Sequence, residues 1–125
     1  MELKFYSCEI CGKIIAMVKD TGVPTICCGQ PMKEIVPGSV DAAAEKHVPV
    51  VSVEGNIVTV EVGSVPHPMA EEHYIEWIVL STKEGMQRKE LNPGDEPKAE
   101  FALTDGDEVI GALAYCNLHS LWKSK

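Results

Sequence analysis

Four of the five cysteines fall within the first 28 residues, as Cys8-x2-Cys11 and then the adjacent pair Cys27-Cys28. A Pro-Gly turn signal in the stretch from Ile35 to Ser39 (IVPGS) closes this segment and makes the best domain boundary. A leading segment of roughly 36 residues buries too little apolar surface to stand alone, and needs a metal, disulfides or a partner. A four-cysteine metal site meets that need. Two intervening residues let the sulfurs of Cys8 and Cys11 reach one ion, and Gly12 allows a tight turn beside them. Cys27 and Cys28 have no spacer. Adjacent side chains tend to point apart, so joining them to one ion strains the backbone next to Gly29 and distorts the tetrahedron. Four thiolates select zinc or iron. Sulfur-only ligation suits a ferric/ferrous couple and suits structural zinc equally, and the plainer alternative is a CxxC redox pair beside two unrelated cysteines.

Five cysteines, two of them adjacent, fit a disulfide framework poorly. Clustered Cys and His in a reducing compartment more often bind metal. The chain has 125 residues, 45% hydrophobic and 24% charged, which suits one ordinary domain with a small appendage. Against 11 Lys+Arg stand 19 Asp+Glu, for a net charge of −8. A general nucleic-acid binder needs the opposite balance. No apolar run approaches the ~20 residues that span a bilayer. The opening MELKFYSCEICGK lacks the basic and apolar regions of a secretory signal, so no membrane association and a cytoplasmic location are expected.

Beyond the boundary, Asp41 to Lys46 reads as a helical turn with Asp41 as N-cap, stopped by Pro49. Strand signals then take over. Val48 to Val53 and Ile57 to Val62 flank a hairpin turn at Glu54-Gly55-Asn56, with Val58, Val60 and Val62 on one face. Tyr74 to Leu80 is a strand with Ile75, Trp77 and Val79 in phase. Asn92 to Asp95 is a turn, Lys98 to Leu103 puts Ala99, Phe101 and Leu103 inward, Thr104 to Asp107 turns again, and Val109 to Tyr115 is the last strand. This predicts an antiparallel β-sandwich.

All four histidines lie in this second part: His47, His67, His73 and His119. His67 sits in the rigid Pro66-His67-Pro68 loop, His47 and His73 precede strands, and Cys116-Asn117-Leu118-His119 follows the last one. All five candidates are therefore at strand ends or in loops, where a sandwich gathers functional residues. If they converge, four neutral imidazoles and one thiolate are too many for tetrahedral zinc and fit a five-coordinate iron with one open position.

Taken in order, Cys8-x2-Cys11 with Cys27-Cys28, Glu45-Lys46-His47-Val48-Pro49, His67-Pro68-Met69, His73-Tyr74-Ile75-x-Trp77 and Cys116-Asn117-Leu118-His119-x2-Trp122 make the sequence resemble desulfoferrodoxin, the two-iron class of superoxide reductase. The resemblance covers essentially the whole chain. It implies that residues 1–36 form a desulforedoxin-like domain whose Fe(Cys)4 site uses Cys8, Cys11, Cys27 and Cys28. Residues 38–125 would form an immunoglobulin-like antiparallel β-sandwich. Its Fe(His)4Cys site would take His47, His67, His73 and His119 as the equatorial plane and Cys116 as the axial ligand.

The implied reaction is one-electron reduction of superoxide to hydrogen peroxide, with an external donor such as rubredoxin restoring ferrous iron. A homodimer is implied too. Glu45 and Lys46 directly precede a ligand. On sequence alone they read as a solvated charge pair. The resemblance makes Lys46 the residue that attracts superoxide and orders a proton-donating water, and Glu45 the sixth ligand of resting ferric iron. Tyr74, Trp77, Trp122, Met69 and Met32 read as packing or site-wall residues. One departure is Ala114, where some relatives carry a glutamate two residues before the axial cysteine; this alters the surroundings of the sulfur without removing a ligand. Ser120 stands where a glycine is common. Two other classes compete: an electron carrier that works through the four-cysteine site, and a zinc protein with one structural and one hydrolytic site.

Overall fold

The computed structural model describes residues 3–125. The chain divides into two compact units, Met1–Val36 and Pro37–Lys125.

The first unit holds β1 (Lys4–Ser7), β2 (Ile14–Met17), β3 (Ile26–Cys27), β4 (Gln30–Pro31) and β5 (Lys33–Glu34). β1 is the middle strand of an antiparallel sheet, paired with β2 from Lys4↔Met17 to Ser7↔Ile14 and with β5 through Tyr6↔Glu34. β3 and β4 form a separate hairpin, Cys27 opposite Gln30. The buried apolar residues described here are Phe5, Cys8 and Met32. Three such side chains make a very small core, in line with the expected dependence on metal.

The second unit holds α1 (Ala44–His47), β6 (Pro49–Glu54), β7 (Ile57–Val62), β8 (Ile75–Thr82), β9 (Gly85–Glu90), β10 (Lys98–Ala102), β11 (Val109–Cys116) and β12 (Ser120–Lys123). Two antiparallel sheets, β10-β7-β6 and β12-β11-β8-β9, enclose a core of Val58, Val60, Val62, Ile75, Ile78, Leu80, Ala99, Phe101, Ala112, Ala114 and Cys116. This is the expected β-sandwich, with three strands facing four. The β6–β7 hairpin closes through Glu54↔Ile57, and Gly55 takes φ +62° in its turn.

Four expectations need correction. The helix begins at Ala44 after Ala43, with no side-chain cap, so Asp41 is not its N-cap. The turn is held from outside instead: the Glu45 carbonyl accepts hydrogen bonds from Val65 N (2.8 Å) and Ser64 Oγ (3.3 Å). In β8 the phase changes. Cys116 pairs with Ile75 but Tyr115 pairs with Trp77, so Glu76 is an extra residue in the ladder. Beyond this bulge Ile78 and Leu80 join the core, while Trp77 stacks on Tyr115 with ring centres 5.3 Å apart. β9 was not anticipated. Its sequence GMQRKE is almost wholly exposed on a sheet edge, where main-chain pairing needs no apolar alternation. Finally, Cys116 ends β11 rather than following it, and a further short strand, β12, comes after the turn at 117–119.

Candidate metal centres

In the first unit the two cysteine pairs occupy two hairpin turns. Cys8 and Cys11 lie in the β1–β2 loop, and Cys27 and Cys28 end β3 and open the turn to β4. Gly12 N donates to Cys8 O at 2.9 Å with Gly12 at φ +80°, which closes the first loop. Cys28 has φ +53°, a left-handed conformation that a residue with a Cβ adopts at some cost. This strained turn is how two adjacent side chains come to face one point. The four sulfurs lie within 4.8 Å of one another. Cys11 Sγ is 3.6 Å from Cys27 Sγ, and Cys27 Sγ is 4.0 Å from Cys28 Sγ. Four sulfurs placed tetrahedrally ~2.3 Å from an ion stand ~3.8 Å apart, so the set fits one. Backbone N–H groups of Cys11 and Ile10 hold the Cys8 thiol down at about 6, while the thiols of Cys11, Cys8 and Cys27 push Cys28 up to about 12. Without a cation, four clustered thiols cannot all ionise. Cys8 is buried and Cys11 and Cys28 are exposed.

The second unit gathers the other five candidates. His47 ends α1, His67 sits in the loop after β7, His73 precedes β8, Cys116 ends β11, and His119 is in the turn before β12. The ligand atoms of His47, His67, His73 and Cys116 lie within 4.8 Å of one another. His119 stands outside that tight set but against it: its Nδ1 is 3.2 Å from His47 Nε2 and 3.9 Å from Cys116 Sγ. The imidazoles form a closed circuit of near-perpendicular neighbours. Ring centres are 4.6 Å apart for His47–His67, 4.7 Å for His67–His73, 5.2 Å for His73–His119 and 4.9 Å for His119–His47.

The tautomers set which ring nitrogens face the centre of the circuit. His47 Nδ1 lies 2.7 Å from the Ala43 carbonyl and His67 Nδ1 lies 2.7 Å from the Pro68 carbonyl. A carbonyl only accepts, so both Nδ1 atoms carry the proton and both Nε2 atoms carry lone pairs. These two Nε2 atoms are 3.2 Å apart. Facing lone pairs repel unless a cation lies between them. Two nitrogens at right angles ~2.1 Å from an ion stand ~3.0 Å apart, close to the separation found. His73 Nε2 is buried with no hydrogen-bond partner, a further donor left for an ion. Burial lowers the pKa of His67 to about 4 and depresses His47 and His73 as well, keeping the rings neutral. Burial pushes the Cys116 thiol up, while the N–H groups of Leu118 and His119 aim at the sulfur and pull it down. A thiolate there has acceptor contacts ready and needs a cation to balance its burial. These are nitrogen and sulfur donors without a carboxylate among the five, the preference of a transition metal over calcium or magnesium.

Glu45 and Lys46 are exposed on α1 beside the buried His47. After burial, His119 and Glu72, the Lys46 charge also acts on His73. Two supports were not anticipated. Asn117 ties the His73 segment to the Cys116 turn: its Oδ1 accepts from Tyr74 N (3.0 Å), its Nδ2 donates to Glu72 O (3.1 Å) and its N donates to Tyr74 O (3.2 Å). An amide directly after a candidate cysteine was the available signal. Gly63 touches α1 so closely that a Cβ there would lie 2.7 Å from the Glu45 carbonyl oxygen. An isolated glycine after a valine strand hinted at close approach. Met69 accepts from Ile75 N through its sulfur at 3.4 Å, and Met32 is core, so both are packing residues.

Comparison with known proteins agrees with this chemistry. Residues 39–125 match the family model described as desulfoferrodoxin, and residues 1–35 match that of the desulfoferrodoxin N-terminal domain. The chain is 49% identical over 122 residues to a desulfoferrodoxin homolog of Archaeoglobus fulgidus, covering 98% of this chain and 96% of that one. It is 40% identical to the superoxide reductase of Pyrococcus horikoshii, covering 68% of this chain and 89% of the relative. The crystal structure of the superoxide reductase from Treponema pallidum superposes with a TM-score of 0.85 at 43% identity, over 100% of both chains. No helix among the described residues is long and apolar enough to cross a membrane.

Proposed function

The chain belongs to the desulfoferrodoxin family, and on that premise we propose that it is a superoxide reductase that binds two irons and works through the second. The reaction joins one superoxide, one electron and two protons into hydrogen peroxide. The observation that carries this reading is the circuit of four imidazoles around paired lone pairs, with a buried cysteine beside it. In this reading residues 38–125 are the catalytic sandwich and His47, His67, His73, Cys116 and His119 hold its iron. Residues 1–36 are the desulforedoxin-like domain, with Cys8, Cys11, Cys27 and Cys28 around the other iron. When bound, the second iron supplies the single electron.

The remaining work falls to side chains. Four uncharged imidazoles leave the cationic charge of the site nearly intact, and the Cys116 thiolate offsets one unit of it. That thiolate donates electron density, which favours giving the electron away. Lys46 is the catalytic cation. It draws an anionic substrate toward a chain whose net charge of −8 repels it, and holds the water that delivers a proton. Glu45, of opposite charge, does not aid that encounter and serves the resting oxidised state as a ligand. A rubredoxin-like donor restores the electron, and the protein works in the cytoplasm as a homodimer.

The test mixes pulse-generated superoxide with reduced, iron-loaded protein across a salt series. Hydrogen peroxide should form without release of oxygen; oxygen release, or no consumption of superoxide, rejects the reading. Steering of this kind is typically worth roughly 10- to 1,000-fold in association rate and fades with ionic strength. Lys46→Ile should therefore slow the reaction and flatten its salt dependence. Glu45→Ala should keep the encounter rate and change the spectrum of the oxidised state. Equal slowing by both variants would remove the steering role.

A further inference from the structure

We propose that Trp122 is the positioning residue of the second centre, its indole fixing His119 by a hydrogen bond and His47 by ring contact. The inference rests on the reading that this centre holds iron.

His47 and His67 are each anchored through the ring, by the Nδ1–H bond to a carbonyl that leaves Nε2 free for the site. His119 cannot be anchored that way. It is Nδ1 that it turns toward His47 Nε2 and Cys116 Sγ. Nδ1 is also the ring nitrogen nearer the main chain, so its position follows the backbone with little side-chain slack. Control of His119 must therefore act on its backbone, where the N–H aims at the Cys116 sulfur and the carbonyl is held from β12. Trp122 Nε1–H donates to the His119 carbonyl at 2.9 Å.

The bond spans Ser120, which has φ +65° although it carries a side chain. Such a conformation costs on the order of 1 kcal/mol or more and persists only where its surroundings impose it. Trp122 closes the turn over that strained residue from β12, where it lies opposite Ala114 of β11. The same indole, 8% exposed, packs its ring 5.1 Å from the His47 ring at an angle of 33°. One rigid side chain thus joins the histidine from α1 to the histidine from the β11–β12 turn, 72 positions apart in the chain. A tryptophan serving only the core could satisfy its N–H on any acceptor. This one spends it on the residue that most needs a backbone anchor.

Trp122→Phe keeps a ring against His47 and removes the N–H. Outer supports of metal ligands typically cost 10- to 100-fold in metal affinity when lost. In the iron-loaded full chain, EDTA should therefore strip the second iron about 10-fold faster from the variant than from the parent. The ferric electron paramagnetic resonance signal of that centre should change in rhombicity, while the spectrum of the first centre serves as an unchanged reference. The same stripping rate with the same ferric signal would overturn the proposal. A second measurement avoids any folding failure of the variant. In the parent protein, loaded with diamagnetic zinc, exchange of the Trp122 indole proton (assigned with Trp77→Phe) should be about 10-fold slower than in the metal-free form, because the ion fixes its acceptor. Equal exchange in both forms would also overturn it. Superoxide turnover enters neither readout. A parent that takes up no iron at the second centre would instead sink the functional reading itself.

Discussion

Gly63→Ala puts the geometry of the second centre under direct test. An added Cβ would lie 2.7 Å from Glu45 O, 3.0 Å from Val48 O and 3.1 Å from the Lys46 carbonyl carbon. Ordinary contact begins near 3.4 Å, so the Glu45 carbonyl must retreat by about 0.7 Å. All three atoms are backbone, and no rotamer change relieves the clash. The same carbonyl accepts from Val65 N and Ser64 Oγ, so its retreat stretches those bonds too. Overpacking of this kind costs ~1–3 kcal/mol and a weakened hydrogen bond ~1 kcal/mol. The sum, about 2–4 kcal/mol, lowers the unfolding midpoint of a unit this size by roughly 10–20 °C. His47 closes α1 and moves with it, and metal sites tolerate only about 0.5 Å of displacement. The variant should therefore bind less iron at the second centre, with the first unaffected. Thermal unfolding with iron counts and visible spectra reads both effects. A midpoint within about 2 °C of the parent and a fully loaded second centre would refute the close-approach argument.

Three other outcomes are expected. Cys28→Ser should abolish the visible spectrum of the first centre and loosen its unit, since Phe5, Cys8 and Met32 are the buried apolar residues described there, while pre-reduced protein still consumes superoxide. Loss of that reaction with the second iron still bound would show the centres to be inseparable. Cys116→Ser should remove the sulfur charge-transfer band of the oxidised second centre and impair turnover far more than folding, because serine is close to cysteine in size and the N–H groups of Leu118 and His119 can donate to its buried hydroxyl; a surviving band would mean that Cys116 is not a ligand. Metal-free protein should lose stability as pH falls from 6.5 toward 4, since the unfolded chain takes up a proton near 6.5 and buried His67 only at about 4, a gap worth on the order of 3 kcal/mol. Urea midpoints across that range check it, and a flat profile would contradict burial of the neutral ring.

What could be read from the sequence was whatever the chain encodes in spacing. The valines at 58, 60 and 62 alternate because one face of β7 meets the core, and Ala99 and Phe101 do the same in β10. The cysteine and histidine sets were legible because their residue types are rare and fall at turns. What escaped was set by contacts distant in sequence. The bulge at Glu76 reverses the phase of β8, and nothing local announces it. β9 hid because an exposed edge strand has no inward face to mark. The α1 turn was assigned a cap from its own sequence, yet Val65 and Ser64 hold it from the next loop. Asn117 supports the site through three bonds to the 72–74 segment, contacts that the local sequence does not encode.

The two centres stand in opposite relation to the chain around them. In the first unit two hairpin turns bring four sulfurs together, and little else is buried. Cys28 is held in a left-handed turn, and four close thiols oppose one another's ionisation. Binding a cation relieves that opposition, so there metal and fold form together. In the second unit the sandwich supplies a complete core, and each candidate donor has its own support: a carbonyl behind His47 and behind His67, Asn117 beside His73, backbone N–H groups at Cys116 and the Trp122 indole at His119. Here the fold precedes the metal. A donor set held apart from relaxation keeps its geometry when the charge at its centre changes by one unit, which is the requirement of a site that must give up an electron and take it back.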